Sequence, residues 1–342
     1  MAKKIQLGFL GCGRISSKHF DALENLSQFI EIKAVCDINL DKAQKAASRF
    51  NCNFYTDLNT MLDSARLDLV TIATPNGLHP KHSIICAKRG VDVFSEKPMA
   101  VSDESAKNLI EELKASGINF FLVHQNRYND PVKYIKKAMD DGRFGKIYMM
   151  TSNVFWQRPQ EYYDHTEWHG TDEMDGGAYM TQASHYVDML NWFAGAPVDH
   201  VFAELDTLGR NIKTEDTGSV IIRWKNQIIG NINVTLLTYP KNFEGSITII
   251  GEKGTAKIGG VALNKLEHAE FQDMPDADDA SSMNYETDSV YGYGHYHAYK
   301  KIIEYYNDGN SDDIIDLDDA YSSFSILNAI RESSKQKTVI YL

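Results

Sequence analysis

Cysteine is scarce in this chain of 342 residues: Cys12, Cys36, Cys52 and Cys86 are the complete set, and no two form a CxxC pair. That scatter argues against a thiolate zinc site or a disulfide framework, and it suits a reducing compartment. Long apolar runs are missing too. None approaches the ~18 residues of a membrane span, and the opening Met-Ala-Lys-Lys-Ile-Gln-Leu-Gly has no apolar stretch with a cleavage site, so an unexported, cytoplasmic protein is expected. Positive charge is in deficit, with 35 Lys and Arg against 47 Asp and Glu for a formal net charge of −12. Nucleic acid and anionic membranes recruit partners through a positive field, so neither is expected here. Any anionic ligand must find a local site.

What the chain does have is 43% apolar residues, over a length that allows two domains at roughly 100–200 residues each. From residue 5 to about 123, apolar runs alternate with helical patterns. Residues 5–10, 32–36, 69–73, 91–94 and 120–123 predict buried strands, being apolar or β-branched and bounded by polar or glycine residues. Ala43, Ala46, Ala47 and Phe50 recur at helical spacing, as do Ala106, Leu109, Ile110 and Leu113, the latter with Ser102 as N-cap and Gly117 as stop. Such alternation implies right-handed crossovers, hence an α/β, doubly wound parallel sheet of the Rossmann type over residues 1–123.

Beyond Val123 the pattern changes. A helix carrying Val132, Ile135 and Met139 leads to strand-like segments at 147–155, 201–205, 219–224, 228–236 and 246–250. In 228–236 apolar residues alternate with Asn231, Asn233 and Thr235, the period of an antiparallel sheet with one wetter face. Residues 124–342 therefore read as an α+β domain with a largely antiparallel open sheet. Residues 273–288, acidic and aperiodic, read as an exposed loop.

A cofactor signal follows the first strand directly. Gly11 and Gly13, with Arg14 and Ile15, form a turn that opens a helix, where free N–H groups and the helix dipole favour a pyrophosphate. Ser16 stands where the third glycine of GxGxxG would be. Asp37 ends the second strand at the distance expected of a ribose-binding acid, and it would repel a 2′-phosphate, which favours NAD over NADP. Thr74, Asn76 and His79 belong to a Pro-Asn-Gly turn at the carboxyl end of a third strand, where open α/β sheets bind ligands.

Two further segments carry chemistry. Glu96-Lys97-Pro98 follows the strand at 91–94, so Lys97 emerges at the sheet edge that bears the glycine loop. If residues 178–190 form a single helix, Tyr179, Ala183, Tyr186, Val187 and Leu190 share one face and Thr181, His185 and Asp188 the other. That places His185 outside the packed stripe. Arg127, Arg158 and Lys81 are candidate partners for a substrate anion. The aromatic run 291–297 offers either a stacking surface for a base or a packed interior. The pairs His295/His297 and His165/His169 lack an acidic or sulfur ligand at metal spacing, so no metal is expected.

Taken together, the Gly11-Cys12-Gly13-Arg14-Ile15 loop, Glu96-Lys97-Pro98, Asn126-Arg127-Tyr128, the Gly176-Gly177 helix with His185-x-x-Asp188, and a C-terminal helix ending in a short strand resemble the glucose-fructose oxidoreductase/inositol dehydrogenase (Gfo/Idh/MocA) family over the whole chain. Within that family, Trp168-His169-Gly170-Thr171, Met180-Thr181-Gln182-Ala183 and residues 244–255 are similar to the bacterial UDP-N-acetylglucosaminuronate 3-dehydrogenases of surface-polysaccharide and lipopolysaccharide synthesis.

The resemblance implies an NAD-dependent enzyme that oxidises the C3 hydroxyl of a UDP-linked N-acetylated hexuronic acid. It also implies 2-oxoglutarate as the acceptor that restores NAD, and a homodimer or homotetramer joined through the C-terminal domain. Cofactor contacts are implied at Gly11, Gly13, Arg14, Ile15, Asp37, Thr74, Asn76, His79, Glu96, Lys97 and Asn126. Substrate contacts are implied at Lys97, Arg127, Arg158, Trp168, Thr181, Gln182 and His185. Alcohol oxidation needs a base and a stabiliser of alkoxide charge, roles that suit His185, whose reference pKa is about 6.5, and Lys97. One position departs from the family: Thr181 stands where relatives carry Asp or Asn. Two alternatives stay open, a free-sugar or polyol dehydrogenase and a non-catalytic NAD sensor on the same fold.

Overall fold

The computed structural model describes residues 4–273, 280–287 and 289–342. Its chain forms two compact units, residues 1–124 with 295–322 and residues 125–294 with 323–342. This division differs from a simple cut after residue 123.

In the first unit six strands, β1 (Ile5–Leu10), β2 (Ile30–Cys36), β3 (Asn53–Tyr55), β4 (Leu69–Ile72), β5 (Asp92–Ser95) and β6 (Phe120–Leu122), make one sheet in the order β3-β2-β1-β4-β5-β6. Every neighbouring pair is parallel. Leu7, Phe9, Leu69, Val70, Ile72 and Val93 are fully buried, as strands covered on both faces require. The helix Leu40–Phe50 is capped by Asn39, and the helix Asp103–Ser116 runs from the expected Ser102 cap to Gly117 in the left-handed region. Strand β3 escaped sequence reading because it is a three-residue edge strand with no buried residue.

The helix Gly294–Asp308, far along the chain, belongs to this unit because its aromatic residues bond the sheet. Tyr305 Oη donates to Asn119 Oδ1 and Tyr306 Oη to Asp92 Oδ2, each at 2.6 Å. An aromatic run cannot announce which sheet it will cover, so this assignment lies beyond the sequence.

The second unit holds an eight-stranded sheet of β7 (Ile147–Phe155), β8 (Val198–Asp206), β9 (Thr217–Trp224), β10 (Ile229–Thr235), β11 (Glu244–Gly251), β12 (Gly254–Gly259), β13 (Lys265–Phe271) and β14 (Ile340–Tyr341). The order is β13-β12-β11-β7-β10-β9-β8-β14, with β7 and β10 parallel and the other pairs antiparallel. Strands β12 and β13 were not anticipated; a register shift between Lys257 and Ile258 breaks their alternation. Of the acidic loop expected at 273–288, residues 274–279 and 288 lie outside the described residues; Ala280–Met283 form a 3-10 turn, and Asn284 Oδ1 accepts from Leu266 N of β13 at 2.7 Å.

Candidate active site

In the first unit the glycine loop joins β1 to the helix Ser16–Asn25. Gly11 has φ +96°, and a Cβ there would stand 2.5 Å from the Ala73 carbonyl oxygen, so only glycine lets the loop lie against the end of β4. Ser16, at the third glycine position, is buried with Oγ donating to Gly13 O at 2.7 Å. The helix that follows has no side-chain cap and no acid in its first turn. Ser16 N and Lys18 N donate within the turn to Gly13 O and Ile15 O, at 3.3 and 3.0 Å, and no carboxylate competes at the start of the helix, which suits a pyrophosphate there.

Asp37 ties this loop to β2. Its Oδ2 accepts from Cys12 N and its Oδ1 from Asn39 N, both at 2.8 Å, leaving lone pairs for ribose hydroxyls. Ile38 beside it is 94% exposed, an apolar surface that sequence reading passed over. Thr74 and His79 sit in the turn after β4: His79 is buried, with Nε2 2.8 Å from Thr74 O and Nδ1 2.8 Å from Pro98 O. This histidine thus joins the turn to the loop that carries Lys97. The neighbouring His82, its Nδ1 3.1 Å from Thr74 Oγ1, is pushed down to about 4 by burial and by the positive side chains near it.

Glu96, expected at the cofactor, has its carboxylate inside the unit, where Oε1 accepts from His19 Nε2 at 3.0 Å and from His295 Nε2 at 3.2 Å. Oε2 accepts from Lys97 N at 3.3 Å. Burial pushes Glu96 up, but the two imidazole hydrogen bonds outweigh it and hold the carboxyl well below its usual range. His19, wholly enclosed, is pushed down to about 4 by burial. The ligand-type atoms of His19, Glu96 and His295 lie within 4.8 Å of one another, and hydrogen bonding within the cluster accounts for that spacing.

In the second unit the expected single helix is two segments, Ala178–Thr181 and Ser184–Ala194. The break falls at Gln182 and Ala183, whose N–H groups both reach back to Ala178 O, at 2.9 and 3.0 Å. His185 is 6% exposed and Asp188 fully enclosed, so the face opposite the apolar stripe is buried as well. Asp188 explains why. Arg127 Nε donates to its Oδ2 at 2.8 Å and Arg127 Nη2 to its Oδ1 at 2.7 Å, while Ser323 Oγ donates to Oδ1 at 2.7 Å. Arg127, expected to meet the substrate anion, is instead committed to the ion pair that anchors the His185 helix.

The remaining candidates of this unit gather around Gln182. Arg158 donates to Gln182 Oε1 at 2.8 Å and to Gln157 O at 2.7 Å, and its guanidinium lies 5.2 Å from the centre of the Trp156 ring and 5.6 Å from that of Tyr162. Tyr162 stacks on His169 with centroids 4.3 Å apart, and Trp168 lies at 3.9 Å from the same imidazole. Thr181 Oγ1 is 2.8 Å from Asp175 Oδ1 and 2.9 Å from Asp175 O. The carboxylate missing at position 181 is thus present as its neighbour, a contact between residues six apart that the family pattern could not indicate. Asn126 is buried, and its Oδ1 has no hydrogen-bond partner among the described residues. Lys81 is exposed in the first unit.

Glu215 is pushed up to about 7 by burial, although Tyr179 N donates to it at 3.0 Å. Together with the histidines it sets a pH profile. His19 titrates near 6.5 unfolded and about 4 folded, so its contribution is complete above pH 6.5 and lost as pH falls toward 4; His82 has the same sign. Glu215 has the opposite sign, its contribution being complete below pH 4.5 and lost as pH rises through 7. Between pH 4.5 and 6.5 the two signs oppose one another, and above pH 7 Glu215 carries its full cost, so Glu215→Gln is expected to raise the urea midpoint at about pH 8 while leaving it nearly unchanged at about pH 4. An equal effect of the substitution at the two pH values would contradict this.

Two family descriptions match the chain: "Oxidoreductase family, NAD-binding Rossmann fold" over residues 5–124 and "Oxidoreductase family, C-terminal alpha/beta domain" over residues 136–342. The chain belongs to this Gfo/Idh/MocA family of oxidoreductases. Among solved structures it is similar to the WlbA dehydrogenase of Bordetella pertussis in complex with NADH and UDP-GlcNAcA, at 44% identity and TM-score 0.95, covering 100% of this chain and 99% of that one. It is also similar to the WlbA dehydrogenase of Chromobacterium violaceum in complex with the same two ligands, at 41% identity and TM-score 0.93, covering 100% and 97%. Among curated proteins, myo-inositol 2-dehydrogenase of Thermotoga maritima is 25% identical over 73% of this chain and 74% of its own. No described helix is long and apolar enough to cross a membrane.

Proposed function

We propose that the chain oxidises the C3 hydroxyl of a UDP-linked N-acetylated hexuronic acid, most like UDP-N-acetylglucosaminuronate, with NAD as oxidant. The observation that carries this reading is the full-length similarity, above 40% identity, to two dehydrogenases crystallised with NADH and UDP-GlcNAcA. Bound at the uncapped helix, NAD supplies the hydride acceptor for the carbinol carbon. The chain's own residues do the rest. Lys97 holds the hydroxyl oxygen and stabilises charge as the alkoxide develops. His185 takes the hydroxyl proton on its imidazole, and the buried Arg127–Asp188 pair fixes the helix that bears it. Asp37 selects NAD through the ribose, Ile38 lies against the adenine, and Arg158, framed by aromatic rings, receives a substrate anion. The unpartnered Asn126 Oδ1 calls for a donor, which a ligand amide or hydroxyl supplies.

The same reading includes a cytoplasmic homo-oligomer and recycling of the cofactor by 2-oxoglutarate. The four free cysteines accord with a reducing compartment. The exposed Tyr148, Met149, Ile221, Ile229 and Ile250 lie on strands of the open sheet and suit burial against a second copy.

The test is NADH absorbance on mixing protein and NAD with UDP-N-acetylglucosaminuronate, myo-inositol or glucose. Reduction is expected with the UDP-acid alone, and loss of the NADH signal on adding 2-oxoglutarate. Reduction by a free polyol but not by the UDP-acid would establish the polyol reading instead, and no reduction by any substrate would favour a sensor.

A further inference from the structure

The residue before Lys97 carries a buried charge whose two oxygens are both engaged. Glu96 is 5% exposed, His19 0% and His295 3%. A carboxylate only accepts, so His19 and His295 each present a protonated Nε2 to Oε1, while Lys97 N–H is held by Oε2. With its Nε2 proton directed at Glu96, neutral His19 has an accepting Nδ1, and Tyr299 Oη donates to it at 2.9 Å. The Tyr299 oxygen then accepts from Thr71 Oγ1 at 3.0 Å. Every proton in the chain Thr71, Tyr299, His19, Glu96 is thereby placed, and the order of donors is fixed from β4 to the loop after β5. The low pKa of His19 agrees, since a neutral ring is the form that can accept from Tyr299.

We infer that His19, His295 and Tyr299 are positioning residues for Lys97. They hold Glu96 in one orientation, and Glu96 fixes the backbone N–H from which the Lys97 side chain projects. The inference rests on the proposed reading of Lys97 as the group that acts on the substrate hydroxyl. His295 stands in the segment 295–322 of the first unit, so a residue 199 positions further along the chain contributes to the setting of Glu96. A shift of about 1 Å in a catalytic group costs on the order of 100-fold in rate, which makes such a scaffold worth its buried charge.

The experiment compares His19→Leu, His295→Leu, His19→Gln, His295→Gln and Tyr299→Phe in the full-length enzyme with NAD and the UDP-acid. kcat is expressed per NADH-binding site from a fluorescence titration. A Gln amide can donate from near the place of Nε2, whereas Leu fills space without a donor. The Leu variants are expected to lose about 30- to 100-fold in kcat, with both KM values within about threefold, and the Gln variants to recover most of that loss. Tyr299→Phe, which keeps the ring and removes only the O–H, is expected to lose about three- to tenfold and serves if the Leu variants do not fold.

Equal kcat in the Leu and Gln variants, or wild-type kcat per site in Tyr299→Phe where the Leu variants are insoluble, overturns the inference. Lys97→Ala is run beside them. If it keeps wild-type kcat, the reading of Lys97 fails; if it loses activity while the Leu variants keep theirs, only the positioning role fails.

Discussion

Lys97→Ala is expected to lower kcat on the UDP-acid by about 10³-fold, and His185→Ala by about 10²- to 10⁴-fold, with NADH affinity changed by less than about threefold in both. A cation on the hydroxyl oxygen acts on charge that exists only as the alkoxide forms, so its loss falls on kcat rather than on ground-state binding. A missing general base has the same signature. The measurement is steady-state kinetics at saturating NAD beside a fluorescence titration with NADH. If, as proposed, the two groups work on the same O–H bond, the double variant is expected to lose much less than the product of the single losses. Near wild-type turnover in both single variants would remove the mechanism, and a large loss of NADH affinity with unchanged kcat would make Lys97 a cofactor anchor only.

The second large effect is on folding. Asp188→Ala leaves the Arg127 guanidinium, 7% exposed in its side chain, without its bidentate partner, and Ser323 loses its acceptor. Removing one member of a buried pair costs about 3–5 kcal/mol, a large fraction of the stability of most domains. Urea denaturation is expected to show that loss, and the combination Arg127→Met with Asp188→Leu to restore much of it, since apolar residues of similar volume replace buried pairs well. The double variant tests function too, for a stable fold with impaired turnover would show that the pair orients His185 rather than merely filling space. If Asp188→Ala costs less than about 1 kcal/mol, the charge is not isolated from water as the structure implies.

How far the chain could be read before folding depends on the range of each interaction. Strand β1, the capped helix Asp103–Ser116, the glycine turn and the acid at the end of β2 all rest on neighbours within a few residues, and each was legible. The single helix over 178–190 was not the outcome, because a spacing argument assumes an unbroken helix and the break at Gln182 has no proline or glycine to announce it. His185 was expected outside the packed stripe. Burial of its face follows from Arg127 and Ser323, residues 58 and 138 positions away in a chain whose pattern holds no trace of the pairing. Glu96 shows the same limit: its motif was plain, but its partners His19 and His295 are separated by most of the chain.

By itself, then, the sequence determined the alternating strand and helix order, the glycine turn after β1, the acid that follows β2, and the family, all of which depend on local spacing and residue type. Tertiary structure alone decided that 295–322 joins the cofactor unit, that Arg127 is an anchor, that Asp175 stands beside Thr181, and that Lys97 projects from a buried carboxylate held by two histidines. The physical reason is that a buried charge must find its partner wherever the chain crosses it, and the energy that selects the partner comes from excluding water, which no segment of the sequence does alone.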